Sequence, residues 1–346
     1  MLTRILTGAL AFSLALGPAA TAMADSYSLT GGDATTLKGV SPFAVNVSGD
    51  QDRVFFGSSS GGWGLSTCTG ASCTAPSMLP VTFGADYTQV SLSDGTLRAY
   101  FINPGPAGKS IETAAVTYDA QGTPVLGPSA SLGISATPDQ RAWGVPDSVV
   151  LPDGRVRLYW VSVLDGGAPS SNSPTRKQLT CLVKAVGKAH VKALSKGAKP
   201  TGKDLKALRK CRISEAVLAG PAKGGTPEVI LSATSTDASG TSFVQDPGTR
   251  FSGGYVDSDI VQAKDGDWIA LLSTGPGAPP QRLYAATSKD GLTWKVDGNA
   301  LTGSSVNSLD PSAVPAGPNT WRVYWSQSPK ATPFSNHTIV TGTLTR

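Results

Sequence analysis

Carboxylates dominate the side chains of this chain that could do chemistry. Asp147, Asp259 and Asp310 each open an apolar, strand-like run, and Thr88 stands in the equivalent place of a fourth run. Asp86 lies just before Thr88, and Asp257 just before Asp259. Clustered carboxylates suit two jobs. They can hold a hard cation, calcium being the one such a cluster suits. They can also act as nucleophile, base or acid in cleaving a glycosidic bond. Glutamate is confined to Glu112, Glu215 and Glu228; Glu228 opens a strand-like run and is the best placed candidate acid. Tyr87, Trp143 and Tyr255 fall near the same run starts, where rings stack on sugars or pack between elements. The competing reading is architectural, since an Asp recurring at run starts can accept backbone amide hydrogen bonds and cap a turn.

Other chemistries find less support. The only histidines are His190 and His337, and no Gly-x-Ser-x-Gly elbow is present, so a Ser-His-Asp site is not expected. No phosphate-cradling glycine pattern stands between a strand and a helix. The four cysteines contain no Cys-x2-Cys pair, which disfavours zinc.

The elements that must position these residues are visible as a repeat. The segment from Asp147 to Trp160 reads DSVVLPDGRVRLYW, two apolar runs around an Asp-Gly turn. Asp-Gly between alternating runs is a strong hairpin signal. Thr88 to Phe101, Asp259 to Leu272, Asp310 to Trp325 and, more loosely, Phe43 to Phe56 share the design. Four copies share an Arg-x-aromatic signature: Arg53/Phe55, Arg98/Tyr100, Arg157/Tyr159 and Arg322/Tyr324. A second hairpin follows each copy, such as Ala286 to Trp294, except that the last copy lacks a fourth strand before the chain ends. Four-stranded units repeated radially are propeller blades. The pattern predicts an all-β, five-bladed propeller over 25–346, with the N-terminal segment Tyr27 to Leu37 completing the last blade. The chain is read as a monomer. A β-sandwich is the alternative.

Blade 3 is too long by roughly 40 residues for the repeat. The excess, 170–215, reads as a basic helical insertion. Leu179, Leu182, Val183, Val186, Ala189, Val191 and Leu194 recur at helical spacing, and Thr201 is a candidate cap for a second short helix. The pattern predicts a helical hairpin too small to bury its own core. Its ends carry Cys181 and Cys211, while Cys68 and Cys73 flank a turn in blade 1, so two local disulfides are expected.

The formal charge of +5 conceals a division. Residues 176–212 hold 12 Lys and Arg against the single acid Asp204. The candidate polyanion contacts are Lys184, Lys188, Lys192, Lys196, Lys203, Lys206, Arg209 and Lys210, facing a cell-surface polymer, an anionic membrane surface or another polyanion. A solvated face is the plain alternative. No aromatic residue interleaves the lysines, so sequence-specific nucleic-acid reading is not expected. Residues 1–24 read as a signal peptide: a basic start at Arg4, an apolar run from Ile5 to Leu16, and Ala22-Met23-Ala24 before the cleavage point. An exported chain is therefore expected, with a secreted, periplasmic or extracellular location.

Ser288-Lys-Asp-Gly-Leu-Thr-Trp294 resembles the Asp-box, or BNR, motif of sialidase-like propellers, one residue shorter between Asp and Gly. The shortened form resembles hairpins of five-bladed propellers related to the arabinanase and invertase glycosidases. Asp310-Pro-Ser-Ala-Val and Asp147-Ser-Val-Val are similar to those folds too. The resemblance implies a structural turn on an outer hairpin and a propeller that recognises extracellular carbohydrate or another surface ligand, with or without catalysis. A glycoside hydrolase using the central aspartates with Glu228, and a cell-surface protein bound through its basic insertion, are the other readings. The sialidase Arg-Ile-Pro segment is absent, as are the invertase-type Asn-Asp-Pro-Asn-Gly, Arg-Asp-Pro and Glu-Cys motifs. The first blade lacks an acid where such a glycosidase would place its nucleophile.

Overall fold

The computed structural model describes residues 27–79, 85–105, 108–135, 140–164, 176–194, 201–211, 228–275 and 280–346. The expected signal peptide lies outside them.

Five sheets form the five expected blades. Strand β1 (Ser28–Ala34) comes first in the chain but belongs to the last blade. Blade 1 holds β2 (Gly39–Ser48), β3 (Gln51–Ser58) and β4 (Trp63–Thr69), with an outer edge made of β5 (Ser72–Cys73) and β6 (Ser77–Met78). Blade 2 holds β7 (Ala85–Ser91), β8 (Leu97–Gly105), β9 (Gly108–Tyr118), β10 (Pro124–Leu126) and β11 (Ala130–Ser135). Blade 3 holds β12 (Gln140–Val150), β13 (Val156–Leu164), β14 (Glu228–Ser235), β15 (Phe243–Gln245) and β16 (Phe251–Ser252). Blade 4 holds β17 (Tyr255–Gln262), β18 (Trp268–Thr274), β19 (Leu283–Ser288) and β20 (Lys295–Ala300). Blade 5 holds β21 (Val306–Gly317), β22 (Thr320–Pro329) and β23 (Thr338–Thr345), and β1 pairs antiparallel with β23, Ser28 opposite Thr345. Strands β2, β7, β12, β17 and β21 touch in a closed inner ring. Closing the last blade with the first strand removes an open edge.

Each blade is packed between two others, so alternate residues of a second strand must both be apolar. In β13, Val156, Leu158 and Trp160 face blade 2 while Tyr159 and Val161 face blade 4. In β8, Ala99 and Phe101 face blade 1 while Tyr100 and Ile102 face blade 3. Five apolar clusters result, one at each blade interface.

The Arg-x-aromatic signature links blades through polar groups. Tyr100 Oη donates to the Gly240 carbonyl at 2.9 Å, and Tyr159 Oη to the Gly291 carbonyl at 2.9 Å, each on the outer hairpin of the following blade. Arg157 adds a 2.6 Å bond to the Asp290 carbonyl. At the ring closure Arg322 grips the fully buried Asp52 with two 2.6 Å bonds, and Tyr324 Oη donates to the same carboxylate at 3.0 Å. Arg53 lies over the Tyr118 ring, 4.6 Å from its centroid.

Both local disulfides form, Cys68–Cys73 across the β4–β5 turn and Cys181–Cys211 between helices. Between β13 and β14 the chain forms three helices, α1 (Arg176–Val186), α2 (Lys188–Leu194) and α3 (Gly202–Lys210). The expected first helix is broken at Gly187, whose φ of 89° ends α1 where a side chain would be strained. The helices also bury a small core of their own, contrary to the size argument: Leu182, Val191, Leu194, Ala207, Leu208 and Cys211. The disulfide supplies the constraint that so small a core lacks. No helix among the described residues is long and apolar enough to cross a membrane.

Candidate functional site

A cavity of about 310 Å³ is lined by Asp86, Asp257 and Asp310 from three innermost strands and by Glu228. Its walls include Val40, Val145, Val161, Val256 and Leu309. The aspartates reach it through a repeated backbone device. The ladder slips in each innermost strand, and Ser41, Asp86, Val145 and Asp310 sit at the slip with φ of 50°, 53°, 48° and 51°. The ladder of blade 4 slips beside Asp257. A bulge adds one residue and takes its side chain out of the strand's alternation. Left-handed backbone at a β-branched residue such as Val145 is strained, and such strain gathers at functional sites.

This register corrects the alignment expected from the sequence. Asp310 belongs with Asp86 and Asp257 on the bulge ring; Asp147, Asp259, Thr88 and Ser312 form a second ring two residues further on. The bulges each shift the count by one residue, so residue types and spacing alone do not show the two rings. The dipeptides Ser41-Pro42, Val145-Pro146 and Asp310-Pro311 mark the shared position and were the available signal.

The second ring staples blade to blade. Asp147 accepts from the Ile260 amide at 2.6 Å, Asp259 from the Ala313 amide at 2.9 Å, and the Ser312 hydroxyl from the Ala44 amide at 3.0 Å. Thr88 Oγ1 donates to Asp147 at 3.4 Å. These groups line a narrower void of about 40 Å³ that shares Asp86, Val145, Asp257 and Asp310 with the cavity. Burial pushes the Asp147 carboxyl up to about 7. Burial, then the charge of Asp147, pushes Asp259 up as well.

On the bulge ring, Asp310 accepts from the Ser41 amide at 3.0 Å and from the Ser41 and Ser326 hydroxyls, each at 3.3 Å. Asp86 accepts from the Val145 amide at 3.3 Å. Gly144 makes that approach possible, since a Cβ there would lie 3.1 Å from Asp86 Oδ2 and 2.5 Å from Ile102. Asp257 is hydrogen-bonded to Ser273 and to Asp310. Burial, then the charge of Asp310, holds its carboxyl well above the ordinary range. Among the described residues no group of three or more His, Cys, Asp or Glu is arranged to hold a metal ion.

Glu228 begins β14, the third strand of its blade, yet its carboxyl lines the cavity. Gly275 leaves room for it, because a Cβ there would stand 2.6 Å from Glu228 Oε2. Burial raises the Glu228 carboxyl. Tyr87 is buried between blades 1 and 2 against Phe43 and Phe55, its hydroxyl donating to Gln89 at 2.7 Å. Tyr255 packs edge-on to Phe251 and Tyr284. Neither lines the 310 Å³ cavity. Trp143 lies in β12, where only its backbone is described. Three cavity residues had no sequence signal: Gln281, His337 and Phe334 come from connections with no periodic pattern. Phe334 is 78% exposed.

On the insertion, Lys184, Lys188, Lys192, Lys203, Lys206 and Lys210 are exposed. Lys196 lies outside the described residues, and of Arg209 only the backbone in α3 is described. Asp204 points inward at 1% exposure. It accepts from the Thr201 amide at 2.7 Å and hydroxyl at 2.6 Å, completing a helix cap, and pairs with His190 at 3.0 Å. The Thr201 hydroxyl, then His190, holds its carboxyl down at about 2.

The fold and its axial cavity define the class: a five-bladed β-propeller with a cavity at its centre. No family model matches the sequence, and no curated protein matches it. Among solved structures the chain is similar to an endo-arabinase from Bacteroides thetaiotaomicron VPI-5482, with a TM-score of 0.52 and 11% identity over 92% of this chain and 97% of that one. It is similar to an N-acetylgalactosamine deacetylase from F. plautii in complex with blood group B trisaccharide, with a TM-score of 0.51 and 12% identity over 92% and 95% of the two chains. It is also similar to a GH43_12 protein retrieved from a capybara gut metagenome, with a TM-score of 0.52 and 11% identity over 93% of this chain and 53% of that one. At such identities the likeness is one of fold.

Proposed function

We propose that the protein is an exported, glycosidase-like propeller that binds carbohydrate in the axial cavity. One observation carries this reading. The cavity sets hydrogen-bonding carboxyls of Asp86, Asp257, Asp310 and Glu228 against apolar walls, with the exposed Phe334 ring at its lining. Sugars ask for that combination: acceptors for hydroxyls, and a ring or apolar surface for C–H faces. Neither Lys nor Arg is among the described residues lining it, so the cavity favours neutral sugars over acidic ones. Export is supported by the leader-like start of the sequence and by two disulfides. The test is a glycan array probed with the mature protein and with Glu228→Gln. Retention of a neutral glycan by the first, weakened in the second, is the expected result; no retained glycan would defeat the reading.

A second reading, hydrolysis, is favoured by one feature. The Glu228 carboxyl is raised by burial and shares a cavity with carboxyls, as a general acid must. Ser41 stands on the bulge ring in blade 1, so the base would come from Asp86 or Asp310. Released reducing ends from the retained glycan, abolished in Glu228→Gln, would establish it; absence of turnover would leave a binding protein.

A further inference from the structure

The basic insertion is not absorbed by a cavity that suits neutral sugars. We infer that α1 to α3 form a capture surface for an anionic polysaccharide, a long chain bearing repeated carboxylate, sulfate or phosphate groups. The charge arrangement is the first support. Residues 176–212 carry 12 basic residues and one acid, and that acid is turned inward and consumed by Thr201 and His190. Among the described residues no ion pair joins Lys184, Lys188, Lys203, Lys206 or Lys210 to an acid. The outward face of the helices therefore presents positive charge alone.

Other polyanions fit less well. The segment has no aromatic residue for nucleobases to stack on. A membrane-lying helix needs an apolar face turned outward. Here Leu182, Val191, Leu194 and Leu208 turn inward, and Leu179, at 36% exposure, is the only large apolar side chain of the described insertion counted as exposed. Lysine, which supplies 9 of the 12 cations, is a compact charge on a flexible stem and suits a diffuse polymer better than a fixed bidentate anion. The remainder of the mature chain is net negative and would repel the same polymer.

The test uses the mature protein and polygalacturonate, with neutral dextran as control. Binding is expected to polygalacturonate only, and to fade between low salt and about 0.5 M NaCl. Changing Lys184, Lys188, Lys203, Lys206 and Lys210 to Gln is expected to weaken binding by about tenfold or more. Their replacement by Arg is expected to preserve it. All five side chains are exposed, and an unchanged melting profile checks that the fold is kept. Retained affinity in the Gln variant would overturn the inference. So would tighter binding to single-stranded DNA, or to phosphatidylglycerol vesicles, than to polygalacturonate at the same salt.

Discussion

At the scale of residues, the buried aspartates make a pH prediction. Asp147, Asp257 and Asp259 all have carboxyls raised by burial, Asp147 to about 7. Each keeps its proton in the folded chain where the unfolded chain has lost it. Above the ordinary carboxylate range the unfolded state therefore binds fewer protons, and stability falls as pH rises. For Asp147 the loss is complete once pH passes about 7. The melting temperature should fall by several degrees between pH 5 and pH 8, and Asp147→Asn, which can still accept the Ile260 amide, should flatten the slope. A melting temperature constant or rising across that window would contradict the proton bookkeeping. This is also the scale at which the sequence was least legible. The acids could be seen, but their division into a cavity ring and a stapling ring could not, because a bulge changes the count without changing the residue types.

At the scale of elements, two couplings can be broken separately. Asp52 is fully buried and holds Arg322 and Tyr324 across the blade 5–blade 1 interface. Asp52→Ala should cost about 3–5 kcal/mol, because it leaves a partly buried guanidinium without its partner. Chemical denaturation measures this, and a loss within experimental error would mean that the latch is dispensable. The Cys181–Cys211 bond closes a separation of 30 residues, and its removal by a double change to Ser should destabilise the helical unit by about 3–4 kcal/mol. The helices pack chiefly on one another, so the loss should appear as a fall in helical circular dichroism with little change in the propeller's melting. A drop in the propeller transition of the same size would show instead that the insertion braces the blades. The hairpins were readable because Asp-Gly turns and alternating apolar runs are local signals. Gly95, Gly154 and Gly266 adopt the positive φ that those turns need, at 83°, 84° and 90°. The cavity's Gln281, Phe334 and His337 were not readable, because what places them is the closure of the ring rather than any local pattern.

At the scale of the whole molecule, the closing strand decides whether the ring is a ring. Removing 25–36 would free the edge of β23 along the register now held by β1. Light scattering should then show concentration-dependent association where the intact mature chain shows none; a dispersed, equally stable deletion variant would contradict the role given to β1. The count of five blades and the identity of the closing strand were both legible, since repetition survives irregular spacing. The charge was legible only as an average. Its meaning depends on the division between a net negative propeller and a helical unit whose one acid is turned inward.

Phe334 probes the cavity with least disturbance, because its ring is 78% exposed and supports no core. The measurement is the affinity, by calorimetry, of the glycan retained on the array for the mature protein, for Phe334→Ala and for the control Val244→Ala, whose side chain is 64% exposed and lies outside the cavity. Phe334→Ala is expected to weaken binding by about tenfold, as loss of a stacking ring should, while Val244→Ala binds like the parent. Equal affinity in all three proteins would place the carbohydrate somewhere other than the axial cavity.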